Sequence, residues 1–363
     1  MLKRPNGGND PLTFEAKLRE YSAPAALCEK LADGRARCLA CAHKCVIPPG
    51  HSGVCKVRFN DGGRLKVPWG YISGCGLDPV EKKPFFHALP GAVTLSFGML
   101  GCNFKCSFCQ NYLTSQVLKD PGCHIYELEP TTPEKLAAAA RDAGARLIVS
   151  TYNEPLITAE WSAAVFKEAR KSGIRGAYVS NGYASPEVLE YIRPHVDLYK
   201  VDLKTFNEEN YLKIAGGKLA NVLKAVEMIH AKGFWLEIVT LLIPGFNDGA
   251  AELESLSGFI SGVSKNIPWH ITAFYPTYNM TDRGATPPAT LLRAREIGLK
   301  KGLKYVYTGN IPGQGFEDTL CPSCGKPLVT RRGFNILNNT IKITKKGQGL
   351  CSHCSTAIPG IWK

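Results

Sequence analysis

The chain has 363 residues, of which 44% are hydrophobic and 21% are charged, as in ordinary folded domains, so intrinsic disorder is not expected. No run of about 18 apolar residues occurs, which argues against a membrane-spanning helix. The most apolar stretch, residues 234–246, is interrupted by Glu237 and Pro244. Residues 1–10 are polar and lack the apolar core of a secretory signal, so we expect a cytoplasmic protein with no membrane partner.

Positive charge is concentrated at the two ends of the chain. The net charge is +13, to which residues 1–90 contribute +6 and residues 321–363 contribute +7, whereas residues 91–320 are neutral. A basic flank is typical of proteins that bind an anionic partner, and an anionic macromolecular substrate is one interpretation. The alternative is local charge balance, because thiolates around a metal ion carry negative charge that nearby Lys and Arg would offset.

From about residue 93 to residue 310, short β-rich runs alternate with helical segments. Thr132 and Ser185 each precede a proline and a glutamate, which is a helix-start signal, and Gly144, Gly173 and Gly233 stand where helices should end. Strands joined by helices pair in parallel. The pattern predicts an α/β fold with a partial (β/α)6-type TIM barrel, and the glycine-rich fingerprint of dinucleotide-binding sheets is missing. The predicted strands are 93–97, 146–151, 177–180, 198–203, 235–243, 270–274 and 305–308.

The sequence divides into three regions. Residues 1–90 form a small cysteine-rich N-terminal region, residues 91–317 form the barrel, and residues 318–363 resemble a small zinc-ribbon module. The linker into the last module is predicted at residues 310–318.

The strongest motif is CxxxCxxC, which comes directly after the first predicted strand. Without an export signal, clustered cysteines are interpreted as metal ligands rather than disulfides. Cys102, Cys106 and Cys109 can hold three corners of a [4Fe–4S] cluster, which leaves one iron open to a substrate or cofactor. A structural zinc ion usually takes four ligands, and Cys123 would be the alternative fourth ligand.

A second cysteine set lies in the N-terminal region. Four cysteines within 18 residues can hold either a zinc ion or a second iron–sulfur cluster, and both interpretations stay open. The set consists of Cys38, Cys41, Cys45 and Cys55.

The third set forms two CxxC pairs, which is the spacing of a zinc ribbon. A ribbon of this kind either staples the fold or, through its basic middle, docks an anionic macromolecule near the barrel mouth. Its members are Cys321, Cys324, Cys351 and Cys354.

The central motif, with Phe108 before its last cysteine, is similar to the signature of radical S-adenosylmethionine (SAM) enzymes. Six further segments resemble the AmmeMemoRadiSam-system radical SAM enzymes, which are relatives of the pyruvate formate-lyase activating enzyme. These segments are DPVEKKPFFH (78–87), TYNEP (151–155), SNG (180–182), DLYKVDLK (197–204), IPGFND (243–248) and TGNIP (308–312). The resemblance extends from about residue 25 to residue 363.

The resemblance implies a [4Fe–4S] cluster on the three central cysteines and a set of SAM contacts. Asn153 and Glu154 stand where the family's Gly-Gly-Glu motif recognises the SAM amino group. Asp202 and Lys204 match the Asp-Leu-Lys segment that contacts SAM, and Asn181 lies where a similar Asn-Gly occurs. This sequence differs from the pattern in having Tyr-Asn before the glutamate and no histidine on its sixth strand.

The residues support the same site independently. Each of these polar side chains follows a predicted parallel strand, at the end where barrel active sites are built. Glu154 could accept the ammonium group of SAM, while Lys204 and an open iron could bind its carboxylate.

The leading hypothesis is therefore an enzyme that cleaves SAM reductively at a [4Fe–4S] cluster. The resulting 5′-deoxyadenosyl radical would abstract hydrogen from a protein, another macromolecule or a small molecule. An electron donor such as flavodoxin or ferredoxin would be its partner. The alternative is a zinc-rich module that binds nucleic acid or protein and retains a non-catalytic barrel; such a protein would be colourless rather than brown.

Overall fold

A computed structural model describes residues 11–123, 128–311 and 316–363. Residues 1–10, at the polar start of the chain, and residues 312–315, within the predicted linker, lie outside the described residues. At the centre is a sheet of eight strands. They are β1 Gly74–Pro79, β2 Val93–Gly98, β3 Leu147–Ser150, β4 Arg175–Ser180, β5 Leu198–Asp202, β6 Trp235–Leu242, β7 Trp269–Ala273 and β8 Val306–Gly309.

The strands of this sheet follow one another in chain order from β1 to β8. Strands β2 to β8 are all parallel, and β1 pairs with β2 in the antiparallel direction. Six helices make the crossings between the parallel strands, which confirms the predicted partial (β/α)6 barrel. They are α1 Pro133–Asp142, α2 Ala159–Arg170, α3 Pro186–Ile192, α4 Leu219–Ala231, α5 Ala250–Val263 and α6 Pro288–Lys300.

The helices begin and end where the sequence signals predict. The Thr132 hydroxyl accepts a hydrogen bond from the backbone of Lys135 at the start of α1, and Ser185 caps α3 in the same way. The glycines at 144, 173 and 233 all have positive φ, which lets the chain leave each helix without a side-chain clash. All seven predicted strands are confirmed within two residues of their bounds.

The N-terminal region forms two small sheets beside the barrel. The buried guanidinium of Arg58 pairs with the Glu160 carboxylate of α2 at 2.5 Å, and the same carboxylate accepts a hydrogen bond from the backbone of Leu27. The region is thereby fixed to the barrel. Its elements are a helix at Pro11–Glu20 and strands at Ser22–Pro24, Cys28–Lys30, Ala36–Cys38, Val46–Ile47, Phe59–Asp61, Arg64–Pro68 and Tyr71–Ile72.

Short elements complete the N-terminal region, the barrel and the C-terminal module. The N-terminal region has single turns at Ala32–Gly34 and Val80–Lys82. The barrel has single turns at Tyr112–Ser115, Pro155–Thr158, Glu208–Asn210 and Tyr211–Ala215, and a strand at Glu129–Pro130 that pairs with Tyr71–Ile72. The C-terminal module has strands at Thr319–Leu320, Pro327–Arg332, Asn335–Asn339, Lys342–Ile343, Gly349–Leu350 and Ala357–Ile358. In the described part of the chain, no helix is both long and apolar enough to cross a membrane.

The C-terminal module closes the amino end of the barrel. Ile361 pairs with Ala88 as an isolated parallel bridge, and Arg175, the first residue of β4, donates a hydrogen bond to the backbone of Lys363. This position does not support the interpretation in which the module docks an anionic macromolecule near the barrel mouth, because the mouth is at the carboxyl ends of the same strands. Sequence patterns gave no signal for which end of the barrel the module would cover.

A buried arginine anchors the C-terminal module. Arg331 donates hydrogen bonds to the carbonyl oxygens of Phe86 and Glu317 at 2.8 and 3.0 Å and to the Thr319 hydroxyl at 2.9 Å. Its guanidinium also lies 3.6 Å from the fully buried Glu81 carboxylate. Without the arginine, that carboxylate would stay buried with no cation beside it.

A close approach of two strands shapes the turn after β3. Tyr152 adopts a φ of 69°, in the left-handed region that glycine prefers, at a position where the family motif has glycine. The turn packs directly on Gly98 at the end of β2, where a Cβ atom would lie 2.6 Å from the Thr151 carbonyl oxygen and 2.9 Å from the Tyr152 Cβ. Only glycine at 98 leaves room for this turn.

We predict that Arg331→Met lowers the free energy of unfolding by about 3–5 kcal/mol, because it leaves a buried carboxylate without its cation. Urea denaturation under anaerobic conditions measures the change. The neighbouring Arg332 is exposed, so Arg332→Met serves as the matched control and should change stability little. Equal stability of the two variants would contradict the anchoring role.

We also predict that Gly98→Ala lowers the melting temperature and displaces the turn at 151–152, because backbone atoms block the added methyl group. The control is Gly258→Ala within α5, where a Cβ meets no atom within 4 Å. The control should gain up to about 1 kcal/mol, since alanine is the better helix former. A Gly98→Ala protein as stable as wild type would show that the turn is not constrained at this point.

Candidate functional site

A cavity of about 290 Å³ opens at the carboxyl ends of the parallel strands. It brings together all eight residues that the sequence singled out in the central region. Its lining includes Cys102, Cys106, Cys109, Asn153, Glu154, Asn181, Asp202 and Lys204. The N-terminal and C-terminal cysteine sets do not line it.

The loop after β2 carries the three central cysteines. The backbone N–H of Phe104 donates a hydrogen bond to the Cys102 sulfur at 3.4 Å, and the Ser115 hydroxyl lies 3.2 Å from the Cys109 sulfur. The Lys119 ammonium group donates to the carbonyl oxygens of Cys102 and Phe104 at 2.5 and 2.9 Å, which fixes the course of the loop. Both backbone and side-chain groups therefore hold this loop in place.

The thiols at this site are spaced differently from those of a zinc site. A tetrahedral zinc site places its sulfur atoms about 3.8 Å apart. Among the described residues, only the C-terminal cysteines form a set whose donor atoms all lie within 4.8 Å of one another, so the central sulfur atoms are more widely spaced. Burial raises the pKa of Cys102 and Cys106, the latter to about 11, so binding of iron would have to displace protons.

The Glu154 carboxylate joins the ends of β3 and β4. It accepts hydrogen bonds from the backbone of Leu156 at 3.1 Å, from the Ser180 hydroxyl at 2.7 Å and from the backbone of Asn181 at 2.8 Å. Burial raises the pKa of Glu154 to about 7, although these donors oppose the shift. A carboxylate offers about four acceptor positions, so one stays open to a ligand's ammonium group.

Strand β5 and the loop after it contribute a charged row. The Asp202 carboxylate lies 3.1 Å from the Lys200 ammonium group and 3.7 Å from that of Lys204. Burial would raise the pKa of Asp202, but the two lysines outweigh it and hold the pKa below its usual value. Burial also opposes the charge of Lys204, yet the Cys106 thiol and Asp202 raise its pKa, so this lysine stays a cation beside the cysteines.

Sequence reasoning missed several residues that line the cavity, among them Lys200, Gln116, Thr272 and Asn310. Lys200 is two residues before Asp202 on β5, and the two-residue period of a strand puts both on one face, so this signal was available. Gln116 and Thr272 also line the cavity, but neither lies in a motif that the sequence analysis used. Asn310 lines it too and belongs to the TGNIP segment (308–312), so a signal for this residue was available. Cys123, the alternative fourth ligand, is buried but absent from the lining.

The two flanking cysteine sets differ in geometry. In the C-terminal set, Cys321 and Cys354 have sulfur atoms 3.6 Å apart, and those of Cys324 and Cys351 are 3.8 Å apart. These distances match a tetrahedral zinc site. The N-terminal cysteines instead share a separate small cavity without such close spacing.

Comparison with known proteins agrees with this geometry. Residues 98–256 match the model of the Radical SAM superfamily. The chain is 34% identical over 325 residues to the uncharacterized protein MJ0808 of Methanocaldococcus jannaschii, an alignment that covers 89% of this chain and 96% of that protein.

Other similarities are more distant. The chain is 22% identical over 231 residues to the pyruvate formate-lyase-activating enzyme of Staphylococcus epidermidis, covering 58% of this chain and 88% of that enzyme. A radical SAM methyltransferase from Sphaerobacter thermophilus has a solved structure that is 18% identical, with a TM-score of 0.47, covering 66% of this chain and 71% of that one. Members of the superfamily bind a [4Fe–4S] cluster and SAM, and SAM cleavage is their general reaction. By its sequence, the chain belongs to the radical SAM superfamily.

Proposed function

We propose that this chain is an enzyme that cleaves SAM reductively and takes hydrogen from a substrate. Cys102, Cys106 and Cys109 would hold the [4Fe–4S] cluster, and the strand ends would hold SAM. The observation that carries the proposal is that the three cysteines line one cavity together with acidic and basic side chains. When bound, the cluster and SAM together supply a 5′-deoxyadenosyl radical that abstracts hydrogen.

The chain's own residues supply binding and orientation. The open acceptor position of Glu154 suits the SAM ammonium group, since the carboxylate is already fixed by three donors. Lys204 suits the SAM carboxylate, and its ammonium group lies 5.8 Å from the centre of the Phe108 ring. Apolar lining residues such as Phe108, Val179 and Leu241 would exclude water from the reacting atoms.

For the substrate, we propose a protein. Relatives of this chain are named as activating enzymes of pyruvate formate-lyase and of benzylsuccinate synthase, so their names point to other proteins as targets. A low-potential electron-transfer protein such as flavodoxin or ferredoxin would be the second partner. Of the two basic ends of the chain, the N-terminal region contributes Lys82 and Pro84 to the cavity lining, whereas the C-terminal module contributes no residue.

For the C-terminal module we propose one zinc ion as a structural staple. Its four sulfur atoms lie within 4.8 Å of one another. A module of this size buries little apolar surface by itself, so a metal is a plausible source of its stability. Because the module closes the amino end of the barrel, we assign it no part in the reaction.

The triple variant Cys102→Ser/Cys106→Ser/Cys109→Ser tests the proposed function. Wild-type protein, reconstituted anaerobically and reduced with dithionite, should convert SAM to 5′-deoxyadenosine, measured by mass spectrometry, and the triple variant should form none. Cys123→Ser is the matched control, because this buried cysteine lies outside the cavity lining, and it should retain activity. Activity in the triple variant, or a colourless wild-type protein, would contradict the proposal.

Lys204→Met should weaken SAM binding by about 10- to 150-fold, because it removes a charge-assisted contact from a buried site. Equilibrium dialysis against the reconstituted protein measures the affinity, and iron analysis verifies that the cluster is still present. Lys213 is exposed in the turn at Tyr211–Ala215 and does not line the cavity, so Lys213→Met should bind SAM as wild type does. Equal affinity of both variants would remove Lys204 from the site.

A further inference from the structure

The N-terminal cysteine set has a place of its own in the fold. Cys38, Cys41, Cys45 and Cys55 line one small cavity together with Arg58. Cys38, Cys41 and Cys55 are buried, and Cys45 is half-buried. Four thiols that converge on one enclosed space are a ligand set, since disulfides are not formed among them.

The spacing of these thiols separates two kinds of metal centre. Zinc draws four sulfur atoms to about 3.8 Å from one another, as in the C-terminal module of this same chain. Among the described residues, the C-terminal set alone has three or more donor atoms within 4.8 Å of one another. The N-terminal sulfur atoms are thus spaced more widely than those of the C-terminal set. A cluster with several irons spans a wider set of ligands than one ion does, so this spacing favours a cluster.

Arg58 supplies an independent sign of a missing group. Its side chain is 1% exposed, and its two terminal nitrogens donate hydrogen bonds to Glu160 and to the carbonyl oxygen of Ile157. Its Nε is buried and has no hydrogen-bond partner, and Arg58 lines the same cavity as the four cysteines. A buried guanidinium donor without an acceptor is costly, and the sulfur atoms of an anionic cluster would provide one.

We propose that Cys38, Cys41, Cys45 and Cys55 hold a second [4Fe–4S] cluster, with the Arg58 Nε–H facing its sulfur atoms. This site is independent of whether the central cavity cleaves SAM.

The second site lies directly against the loop of the central cysteines. The His43 ring nitrogen is 3.1 Å from the carbonyl oxygen of Asn103, and the backbone of Ala42 donates a hydrogen bond to Tyr183 at 2.9 Å. The carbonyl oxygen of Cys55 lies 3.0 Å from the position that a Cβ on Gly101 would occupy. Residues 101 and 103 flank Cys102, so the two metal sites are separated by only one layer of chain.

The side-chain amide of Asn103 stands between the two sites. Its oxygen accepts a hydrogen bond from Asn181 at 2.7 Å and lies 3.8 Å from the Cys102 sulfur. Its nitrogen is buried without a hydrogen-bond partner. This nearness suits electron transfer: a low-potential donor protein would lose one electron to the second cluster, which would pass it to the central cluster. This role, unlike the site itself, rests on the proposed function.

Metal analysis of the anaerobically reconstituted full chain tests the site. Wild type should contain about eight iron atoms and one zinc ion, and the Cys102→Ser/Cys106→Ser/Cys109→Ser variant should retain about four iron atoms with the Mössbauer spectrum of a [4Fe–4S] cluster. A variant with no iron, or a wild type with four irons and two zinc ions, would overturn the proposal. Because this result does not depend on SAM cleavage, it separates failure of the site from failure of the proposed function.

A second pair of variants tests the ligands. Cys41→Ser/Cys55→Ser should lose about four iron atoms and retain the central cluster, while Cys28→Ser, on the strand that pairs with Cys38, should keep all eight. If the double variant does not fold, the metal content of the central triple variant still decides. With reduced flavodoxin as donor, the folded double variant should form 5′-deoxyadenosine at least tenfold more slowly than Cys28→Ser; an equal rate would overturn the electron-transfer role.

Discussion

The buried Glu154 carboxylate is the constraint on which the candidate site depends. A carboxylate in such surroundings must be matched by donors, and three of them come from the turn after β3 and from the end of β4. These hydrogen bonds hold two neighbouring strand ends at a fixed separation. Because this one buried carboxylate needs hydrogen-bond donors, it fixes the wall of the cavity between Asn153 and Asn181.

Two buried arginines hold the flanking regions at opposite ends of the barrel. Arg58 joins the N-terminal region to α2 near the mouth, and Arg331 joins the C-terminal module to the amino end. Each makes hydrogen bonds to carbonyl oxygens as well as facing an acid, so each guanidinium specifies a direction of docking. The small modules have little apolar surface to define their position. The guanidinium groups of the two arginines, each planar with five N–H donors, define it instead.

Much of the barrel could be predicted from the sequence because its signals are local. Capping residues such as Thr132 and the β-rich runs reflect short-range physics, and the CxxxCxxC spacing is itself a local ligand pattern. Strand β1 was not predicted, because GCGLDP combines glycine and proline with a single large apolar residue. It forms through pairing with β2, which is a tertiary effect.

The location of the C-terminal module depends on contacts between distant parts of the chain. No local pattern around Arg331 shows that it will meet Glu81, which lies 250 residues earlier. The nature of the N-terminal cysteine set was open for the same reason. Its spacing in sequence suits zinc and iron–sulfur clusters alike, and the proposal of a cluster rests on how the folded thiols are arranged.

The bridge between Ile361 and Ala88 has a consequence for how the protein is made. Ile361 exchanges backbone hydrogen bonds with His87 and Leu89, immediately before β2, the first parallel strand. During synthesis, the amino end of the barrel therefore stays uncovered until some 270 further residues have left the ribosome. Such long-range closure is intrinsically slow, and the apolar cluster that contains Val80, Phe85 and Leu89 lacks the packing of Ile361 until then. Nascent chains should thus be most vulnerable to aggregation at this end, in the interval between completion of the sheet and arrival of the last residues.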